Sequence, residues 1–229
     1  MLKVTENRLI AKTLPGMTQA ATKKDGIAND LLHRRKAARR LLIDGRHERN
    51  AIDLIRELPA EAESLHFVVD GHFEPCDLIP VTRRLVSPAI ISRLDITTLG
   101  FNLDNVACIA NGMDQGKIGQ VSLMCSHYFA KVEKASFEYL QTEIGRRGGR
   151  VAALRTHTKL ILMEISDGRF FTIEGSGNLR SCKSIEQFVF TNDRELLLFH
   201  RRWIDDYIET RGNDGKYTKR SDDNREAGH

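Results

Sequence analysis

The chain has 229 residues, of which 41% are apolar and 29% charged, a composition typical of a globular protein with one substantial core. Its formal net charge of +4 is a weak argument for an anionic partner, so the distribution of charge matters more than the total. No apolar run approaches the ~20 residues that span a bilayer, and the N-terminus lacks the apolar segment of a signal peptide. We therefore expect a cytoplasmic protein without a membrane partner.

The four cysteines predict neither a disulfide framework nor a metal site. They are widely spread, with no CxxC pair and no group of Cys and His at zinc spacing. Cys108 and Cys125 lie within apolar runs, where a thiol packs as a small hydrophobic group. We expect no cofactor and no metal ion.

A basic helix is predicted near the N-terminus, after a polar arm of about 25 residues. It would begin at Asn29 or Asp30 and end near Gly45. A second helical segment, residues 51–58, stops at Pro59. The exposed face of the first helix is either an ordinary solvated surface or a surface that contacts nucleic-acid phosphates. Its cationic side chains are Arg34, Arg35, Lys36, Arg39 and Arg40.

Beyond residue 60, strand-like and helical patterns alternate, which predicts an α/β domain with a mixed β-sheet flanked by helices. We divide the chain into an N-terminal arm and helical extension at 1–60, the α/β domain at 61–210 and a disordered tail at 211–229. The expected strands are 65–69, 94–99, 106–110, 120–125, 150–154, 160–165, 169–173 and 188–190. The expected helices are 80–85, 129–143 and 193–208.

A β-hairpin is the clearest local prediction. Two β-rich runs, 160–165 and 169–173, are joined by a turn that contains Asp167 and Gly168. An Asp-Gly pair between strands is a strong hairpin signal, because glycine tolerates the positive φ that such turns need. The hairpin brings the residues before its first strand next to those after its second.

Polar side chains occupy both of these flanks. His157 and Lys159 precede the first strand, and Ser176 and Asn178 follow the second. Within each pair the i, i+2 spacing places both side chains on one side of an extended chain. A cation, an amide, a hydroxyl and an imidazole suit a phosphoryl group, since the first two can bind its oxygens and the imidazole can attack phosphorus or move protons.

These residues resemble a known family signature. His157-Thr158-Lys159 followed by Gly175-Ser176-Gly177-Asn178 is similar to the HxK…GSxN motif of the phospholipase D superfamily. Glu186 matches the acidic residue usually found shortly after the Asn, and the surrounding pattern of strands and helices resembles one family half-domain over roughly residues 65–208. Two features depart from the family. The acid normally five residues after the Lys is Glu164 rather than Asp, and the loop to the GSxN block is somewhat longer.

The resemblance implies a role for each motif residue. His157 would be the nucleophile that forms a phosphohistidine intermediate. Lys159 and Asn178 would clamp the phosphate, Ser176 would support it by a hydrogen bond, and Glu186 would orient the imidazole. Such chemistry requires no metal ion, because the lysine charge and a pair of histidines take over its role.

One active site in this family needs two HxK half-sites, and this sequence offers one. A symmetric homodimer that completes the active site is therefore expected. The alternative is a degenerate partner half within residues 65–120, which would give an asymmetric or inactive site.

The substrate class has three interpretations. The first is a nuclease or nucleic-acid phosphodiesterase, favoured by the half-domain size, the basic N-terminal stripe and the lack of an apolar docking loop. The second is a phospholipase or phosphatidyltransferase, which should carry exposed apolar segments that dock on a membrane. The third is a non-catalytic nucleic-acid-binding protein on the same fold.

Overall fold

The computed structural model describes residues 39–46, 50–70, 73–180 and 184–211. Within these residues, an eight-stranded mixed β-sheet forms the centre of the fold. Its strands are β1 (Arg39–Gly45), β2 (Glu63–Val69), β3 (Ile91–Thr98), β4 (Ile118–Ser126), β5 (Arg150–Leu154), β6 (Leu160–Ile165), β7 (Phe170–Gly175) and β8 (Glu186–Asn192). Their order across the sheet is β1-β2-β8-β7-β6-β3-β4-β5.

The strand directions define two different edges of this sheet. Strands β6 and β8 are antiparallel to their neighbours, whereas the other six strands all run the same way. The carboxyl ends of those six strands and the amino ends of β6 and β8 therefore meet at one edge, which we call the carboxyl edge. Ligands of open α/β sheets bind beyond the carboxyl ends of the strands.

Helices cover both faces of the sheet. The helices are α1 (Ala51–Leu54), a 3₁₀ helix (Pro75–Asp77), α2 (Leu78–Val86), α3 (Leu103–Asp114), α4 (His127–Val132), α5 (Lys134–Gly145) and α6 (Arg194–Arg211). The larger apolar cluster joins one face of the sheet to α1–α5, and a smaller cluster around Leu162, Leu197 and Ile204 joins the other face to α6.

The predicted fold class, an α/β protein with a mixed sheet flanked by helices, is confirmed. The hairpin forms as expected from β6 and β7, with Gly168 at a φ of 90° in the turn. The other strands predicted between residues 65 and 190 are present with small shifts of their ends, apart from 106–110. The helix predicted at 193–208 is α6.

The strand predicted at 106–110 is wrong, because this segment lies in α3. Asn102 caps the helix by accepting a hydrogen bond from the backbone nitrogen of Asn105, and Asn105 bonds back to the backbone of Asn102. Val106, Ile109 and Ala110 then fall on one buried face at helical spacing. A short apolar run fits either structure, and here the cap selects the helix.

The prediction of a basic N-terminal helix is wrong over residues 39–45, which form the strand β1. This strand pairs in parallel with β2, with Leu41 opposite Leu65. Leu41 and Ile43 alternate along β1 and face the same side of the sheet as Leu65 and Phe67. The backbone of this segment forms hydrogen bonds with β2 in place of the local hydrogen bonds of a helix. The remainder of the predicted helix, including Arg34, Arg35 and Lys36, lies outside the described residues.

Two further helices are shorter than predicted. The segment 51–58 is helical only as α1, and 129–143 is divided between α4 and α5 at Glu133, whose φ of −103° and ψ of 52° are not helical. Strand β1 belongs to the same sheet as the other strands, and α1 contributes Ala51 and Leu54 to the larger apolar cluster. The division into an extension, a catalytic domain and a tail stays a prediction, but residues 39–55 contribute to the sheet and its core.

Ion pairs join the sheet to α6. The Asp95 carboxylate, fully buried on β3, accepts hydrogen bonds from Arg93 at 2.9–3.0 Å and from Arg201 of α6 at 3.1 Å. Arg93 also donates to Asp205 at 2.6 Å, and Arg201 pairs with Glu164. With Arg150, which pairs with Asp205 and, at 3.9 Å, with Glu209, the network contains three cations and four carboxylates.

None of the helices in the described ranges combines the length and the apolar character needed to cross a bilayer.

Candidate functional site

The candidate site lies at the carboxyl edge, where residues 155–159 connect β5 to β6. In the strand order, β4 and β3 lie between β5 and β6, so this segment crosses the ends of both. His157 occupies the middle of the crossing and its side chain is exposed. The Lys159 ammonium donates a hydrogen bond of 3.0 Å to the carbonyl oxygen of His157, which folds the end of the segment back on itself.

Lys159 and Asn178 line the same small cavity at this edge. Among the described residues, the side-chain oxygen of Asn178 is buried without a hydrogen-bond partner. A buried polar atom left unpaired is costly, and such atoms mark places where a ligand or a water completes the structure. The rest of the lining is mostly apolar and includes Pro75, Leu160, Ile161, Ile173, Leu179 and Phe188.

Ser176 and Glu186 are joined beside this cavity. The Ser176 hydroxyl donates to the Glu186 carboxylate and accepts a 3.0 Å hydrogen bond from the backbone nitrogen of Gln187. The backbone nitrogen of Ser176 in turn donates to the Gln187 carbonyl at 3.0 Å. Glu186 thus holds the start of β8 against the end of β7. That it orients the His157 imidazole stays a prediction.

Three contacts that the sequence did not reveal fix the chain after Asn178. The Leu179 backbone nitrogen donates to the Thr98 hydroxyl at 3.0 Å, and the Leu179 carbonyl accepts from the Cys76 backbone nitrogen at 3.1 Å. The Arg180 guanidinium lies 5.6 Å from the centre of the Phe129 ring. These partners come from β3, the 3₁₀ helix and α4, so no local pattern around the motif could have indicated them.

Glycines allow the closest approach between β7 and β8 at the site. A Cβ atom added at Gly175 would lie 2.6 Å from Phe188 Cε1 and 2.7 Å from the Gln187 carbonyl oxygen. A Cβ added at Gly177 would lie 2.6 Å from Phe188 Cζ. The two glycines of the GSGN segment therefore have a packing role, in addition to spacing Ser176 and Asn178.

The Gly175→Ala variant is expected to lose about 1–3 kcal/mol of the free energy of unfolding, because backbone as well as side-chain atoms must shift to admit the methyl group. Gly145→Ala is the matched control, since a Cβ there meets nothing within 4 Å. Urea unfolding followed by circular dichroism measures both. Equal stability of the two variants would contradict this account of the packing.

The predicted nucleic-acid-binding arginines of the described part lie away from this site. Arg39 and Arg40 are the first two residues of β1, so both lie at the edge opposite the carboxyl edge. Both are exposed, and the Arg39 guanidinium is 3.5 Å from the Glu63 carboxylate. The two residues cannot contact the same phosphate as Lys159 within one chain. Their binding role stays a prediction.

Glu164, the residue at the position of the family's Asp, does not face the cavity. It lies near the far end of β6 and pairs with Arg201 of α6, so its role is structural. Across the described ranges, no group of three or more His, Cys, Asp and Glu side chains is placed to hold a metal ion.

The arrangement defines an α/β protein with a small, mostly apolar cavity at the carboxyl edge of a mixed sheet, to which Lys159 and Asn178 contribute polar groups. No family model and no curated protein matches this chain. Among solved structures, it is similar to Nuc, a phospholipase D family member from Salmonella typhimurium, with 15% identity, a TM-score of 0.40, and coverage of 51% of this chain and 78% of that one.

Two further structures are similar over a longer part of the chain. Polyphosphate kinase from Porphyromonas gingivalis is 16% identical with a TM-score of 0.44, and the alignment covers 69% of this chain and 27% of that one. The archaeal chromatin protein TrmBL2 is 16% identical with a TM-score of 0.42, covering 69% and 56%. With TM-scores below 0.5, these likenesses do not bear on the activity of this chain.

Proposed function

We propose that the protein is a metal-independent phosphodiesterase that hydrolyses nucleic-acid phosphodiesters through a phosphohistidine intermediate. The observation that supports this proposal is the cavity that Lys159 and Asn178 share, since the Lys159 ammonium and the Asn178 amide nitrogen can both donate hydrogen bonds to the oxygens of a phosphoryl group. His157, two residues before Lys159, is exposed and accessible to a substrate at the same edge.

The reaction proceeds in two displacements in this proposal. An imidazole nitrogen of His157 attacks phosphorus, and the bond to the leaving oxygen breaks as that oxygen takes a proton from the partner subunit's His157. Water then attacks the phosphohistidine, giving its proton to the histidine that acted as acid, and the P–N bond breaks. Lys159 and Asn178 stabilise the negative charge on the non-bridging oxygens in both steps.

Charge at the carboxyl edge favours a nucleic acid as the substrate. Arg155 and Arg180 are exposed and lie two residues from His157 and Asn178, respectively. They extend the positive potential of Lys159 beyond a single phosphate. A polymer with regularly spaced phosphates uses such flanking cations, whereas a lipid with one phosphodiester does not.

The experiment measures hydrolysis of labelled single- and double-stranded DNA and RNA in excess EDTA by the wild type, Lys159→Met and Lys117→Met. We expect cleavage that survives chelation, and a loss of about 10²–10³-fold in kcat for Lys159→Met, because a cation that binds the transition state is removed. Lys117 is exposed before β4 at the opposite edge, so Lys117→Met is the matched control and should cleave like the wild type.

The outcomes separate the possible functions. Absence of cleavage together with tight, salt-sensitive binding would indicate a non-catalytic nucleic-acid-binding protein. Absence of both would direct the test to lipid phosphodiesters. Cleavage that stops on adding EDTA and returns with a divalent metal ion would contradict the metal-independent mechanism.

The homodimer is tested by mixing chains. If each active site needs His157 from both subunits, exchanged equimolar mixtures of wild type and His157→Ala should retain about a quarter of the wild-type activity per chain, since only that fraction of dimers carries two intact histidines. Independent chains would retain about half. Analytical ultracentrifugation of the same mixtures checks that dimers are present, and activity from a monomer would refute the shared site.

A further inference from the structure

Strand β1 is the first strand in the order of the sheet, so the outer side of its backbone has no neighbouring strand among the described residues. All seven of its residues pair in continuous register with β2, and the segment contains no proline. Such a strand presents a row of backbone donors and acceptors that can pair with another strand. Leu42, at its centre, is 80% exposed, the largest value for any large apolar side chain in the described ranges.

The Leu42 side chain lies on an open part of one sheet face. Its register neighbours across the strands are His66 on β2, Val189 on β8 and Glu174 on β7. On this face α6 packs over β5, β6 and β7, and the ring of its His200 is 3.0 Å from the Glu174 carboxylate. Leu42, His66 and Val189 line an open groove beyond that contact. A strand added beside β1 would extend this face and bury Leu42.

A second copy of β1 fits this edge, because the sequence of the strand is complementary to itself. In an antiparallel pair about a two-fold axis perpendicular to the sheet, every side chain keeps its face, so one residue lies opposite its own copy. When that residue is Leu42, all seven residues of each strand are paired. The opposing pairs are Leu42 with the partner's Leu42, Leu41 with the partner's Ile43, Arg40 with the partner's Asp44, and Arg39 with the partner's Gly45.

This register sets opposite charges against each other on both sides of an apolar centre. Arg40 is exposed, and the Asp44 side chain is 58% exposed. Arg46 of the same chain donates to Asp44 at 2.8 and 2.6 Å, but a carboxylate has room for further donors. Directly opposed unlike charges and apolar side chains both stabilise an antiparallel pair.

The two neighbouring registers are less favourable. Centring the pair on Leu41 sets Arg40 against the partner's Leu42, so each apolar centre meets a charge. Centring it on Ile43 sets Leu42 against the partner's Asp44, and Arg40 against the partner's Arg46. Like charges in opposed positions destabilise a pair of strands. The charges of the strand therefore specify the register centred on Leu42.

We propose that two copies of this chain associate through β1, in an antiparallel pair centred on Leu42 that joins their two eight-stranded sheets into one. Because β1 runs in opposite directions in the two copies, their carboxyl edges face opposite ways. This interface is therefore distinct from one that brings two His157 side chains together, and it does not rest on the proposed function. A chain that uses both interfaces forms assemblies larger than dimers.

Cross-linking of Leu42→Cys in the full chain tests the register. Opposed residues of an antiparallel pair have Cα atoms about 4.5–5.5 Å apart, within the range of a disulfide. Mild oxidation should give a disulfide-linked dimer that yields a dimer of the tryptic peptide 41–46. Leu41→Cys is the control, since Leu41 and its copy are diagonal neighbours at about 7–8 Å and should cross-link about tenfold more slowly or less. Equal rates, or no cross-link at Leu42→Cys, would refute the register.

Charge reversal separates strand pairing from random collision of exposed thiols. Adding Arg40→Asp to Leu42→Cys sets like charges against each other at two positions and should slow cross-linking about tenfold. Adding Asp44→Arg as well restores unlike charges and should return the rate to within about threefold. All three proteins carry the same exposed thiol, so identical rates would show that the thiols meet by collision and would overturn the proposal.

Sedimentation equilibrium measures the association without a cross-link. Arg40→Asp should weaken one association step about tenfold, and Arg40→Asp with Asp44→Arg should recover it. Lys134→Asp is the matched control, because it makes the same change of charge at a side chain that is 79% exposed on α5, and it should associate like the wild type. An equal effect of Lys134→Asp, or a wild type that stays monomeric at all concentrations, would contradict the interface. If the shared active site does not form, the step that depends on Arg40 should still be seen.

Discussion

Replacing His157 with alanine is expected to slow nucleic-acid cleavage by about 10⁴-fold, the scale of losing a nucleophile whose partners remain in place. His157 is exposed within a segment that crosses strand ends, and its backbone carbonyl, rather than its ring, accepts the Lys159 hydrogen bond. Truncation of the ring should therefore remove chemistry without unfolding the site. Single-turnover rates with excess protein measure the effect, and circular dichroism checks the fold.

His127→Ala is the control for this loss. His127 is also exposed at the carboxyl edge, at the start of α4, but lies outside the motif. We expect its variant to stay within a few-fold of the wild type. An equal loss in both variants would mean that the edge needs positive charge in general, and a His157→Ala variant that cleaves normally would end the proposal of a phosphohistidine.

Trapping the covalent intermediate distinguishes whether His157 acts as the nucleophile or only transfers protons. Rapid quenching with labelled substrate should give phosphorylated protein that is stable in alkali, labile in acid and absent from His157→Ala. Peptide mapping should place the label on His157. A fast reaction with no labelled protein at any time would favour direct attack by water with His157 as its base.

The parts of the fold that were predicted correctly are those set by local sequence. The Asp167-Gly168 turn and the alternating runs on either side determine the β6–β7 hairpin, because their partners are a few residues away. The same locality brings the flanks of the hairpin to one edge, so the approach of Lys159 to Asn178 follows from sequence. The family resemblance predicted chemical roles for these residues, whereas their proximity was predicted from the hairpin.

Segments whose structure depends on distant partners were predicted poorly. Residues 39–45 form β1 because β2 offers a parallel ladder and a common apolar side, and neither is visible in the segment itself. Its charged residues and leucines satisfy a helical pattern equally well. The same reason applies to Thr98 and Cys76, whose bonds to Leu179 join residues 81 and 103 positions apart.

The position of the basic residues illustrates the consequence for function. On a helix, Arg39 and Arg40 would share a stripe with cations preceding them, whereas on β1 they lie at the edge opposite the candidate site. Cations near the motif in sequence, Arg155 and Arg180, are instead at the carboxyl edge. The order of strands, rather than the density of charge along the chain, determines which cations can act on one substrate.

Asp95→Asn is expected to cost about 3 kcal/mol of the free energy of unfolding, because it removes the fully buried carboxylate that Arg93 and Arg201 share and leaves each of them with one carboxylate, Asp205 or Glu164. The Asp95 carboxylate is 0% exposed, and the guanidinium groups of Arg93 and Arg201 that bond to it are 19% and 11% exposed. Within the described part of the chain, one Arg201 nitrogen is already buried without a hydrogen-bond partner. A neutral amide cannot balance two such charges.

Asp167→Asn is the matched control, with the same change of one oxygen to nitrogen. Its partner Arg169 is 2.6 Å away, but both side chains are more than a third exposed, so water screens the pair and we expect less than about 1 kcal/mol. Urea unfolding with a common m-value measures both variants. Because α6 is joined to the sheet through this network, Asp95→Asn should also speed hydrogen exchange along α6. A cost below that of Asp167→Asn would mean that the charges at Asp95 are solvated rather than buried, which would contradict the packing of α6 on the sheet.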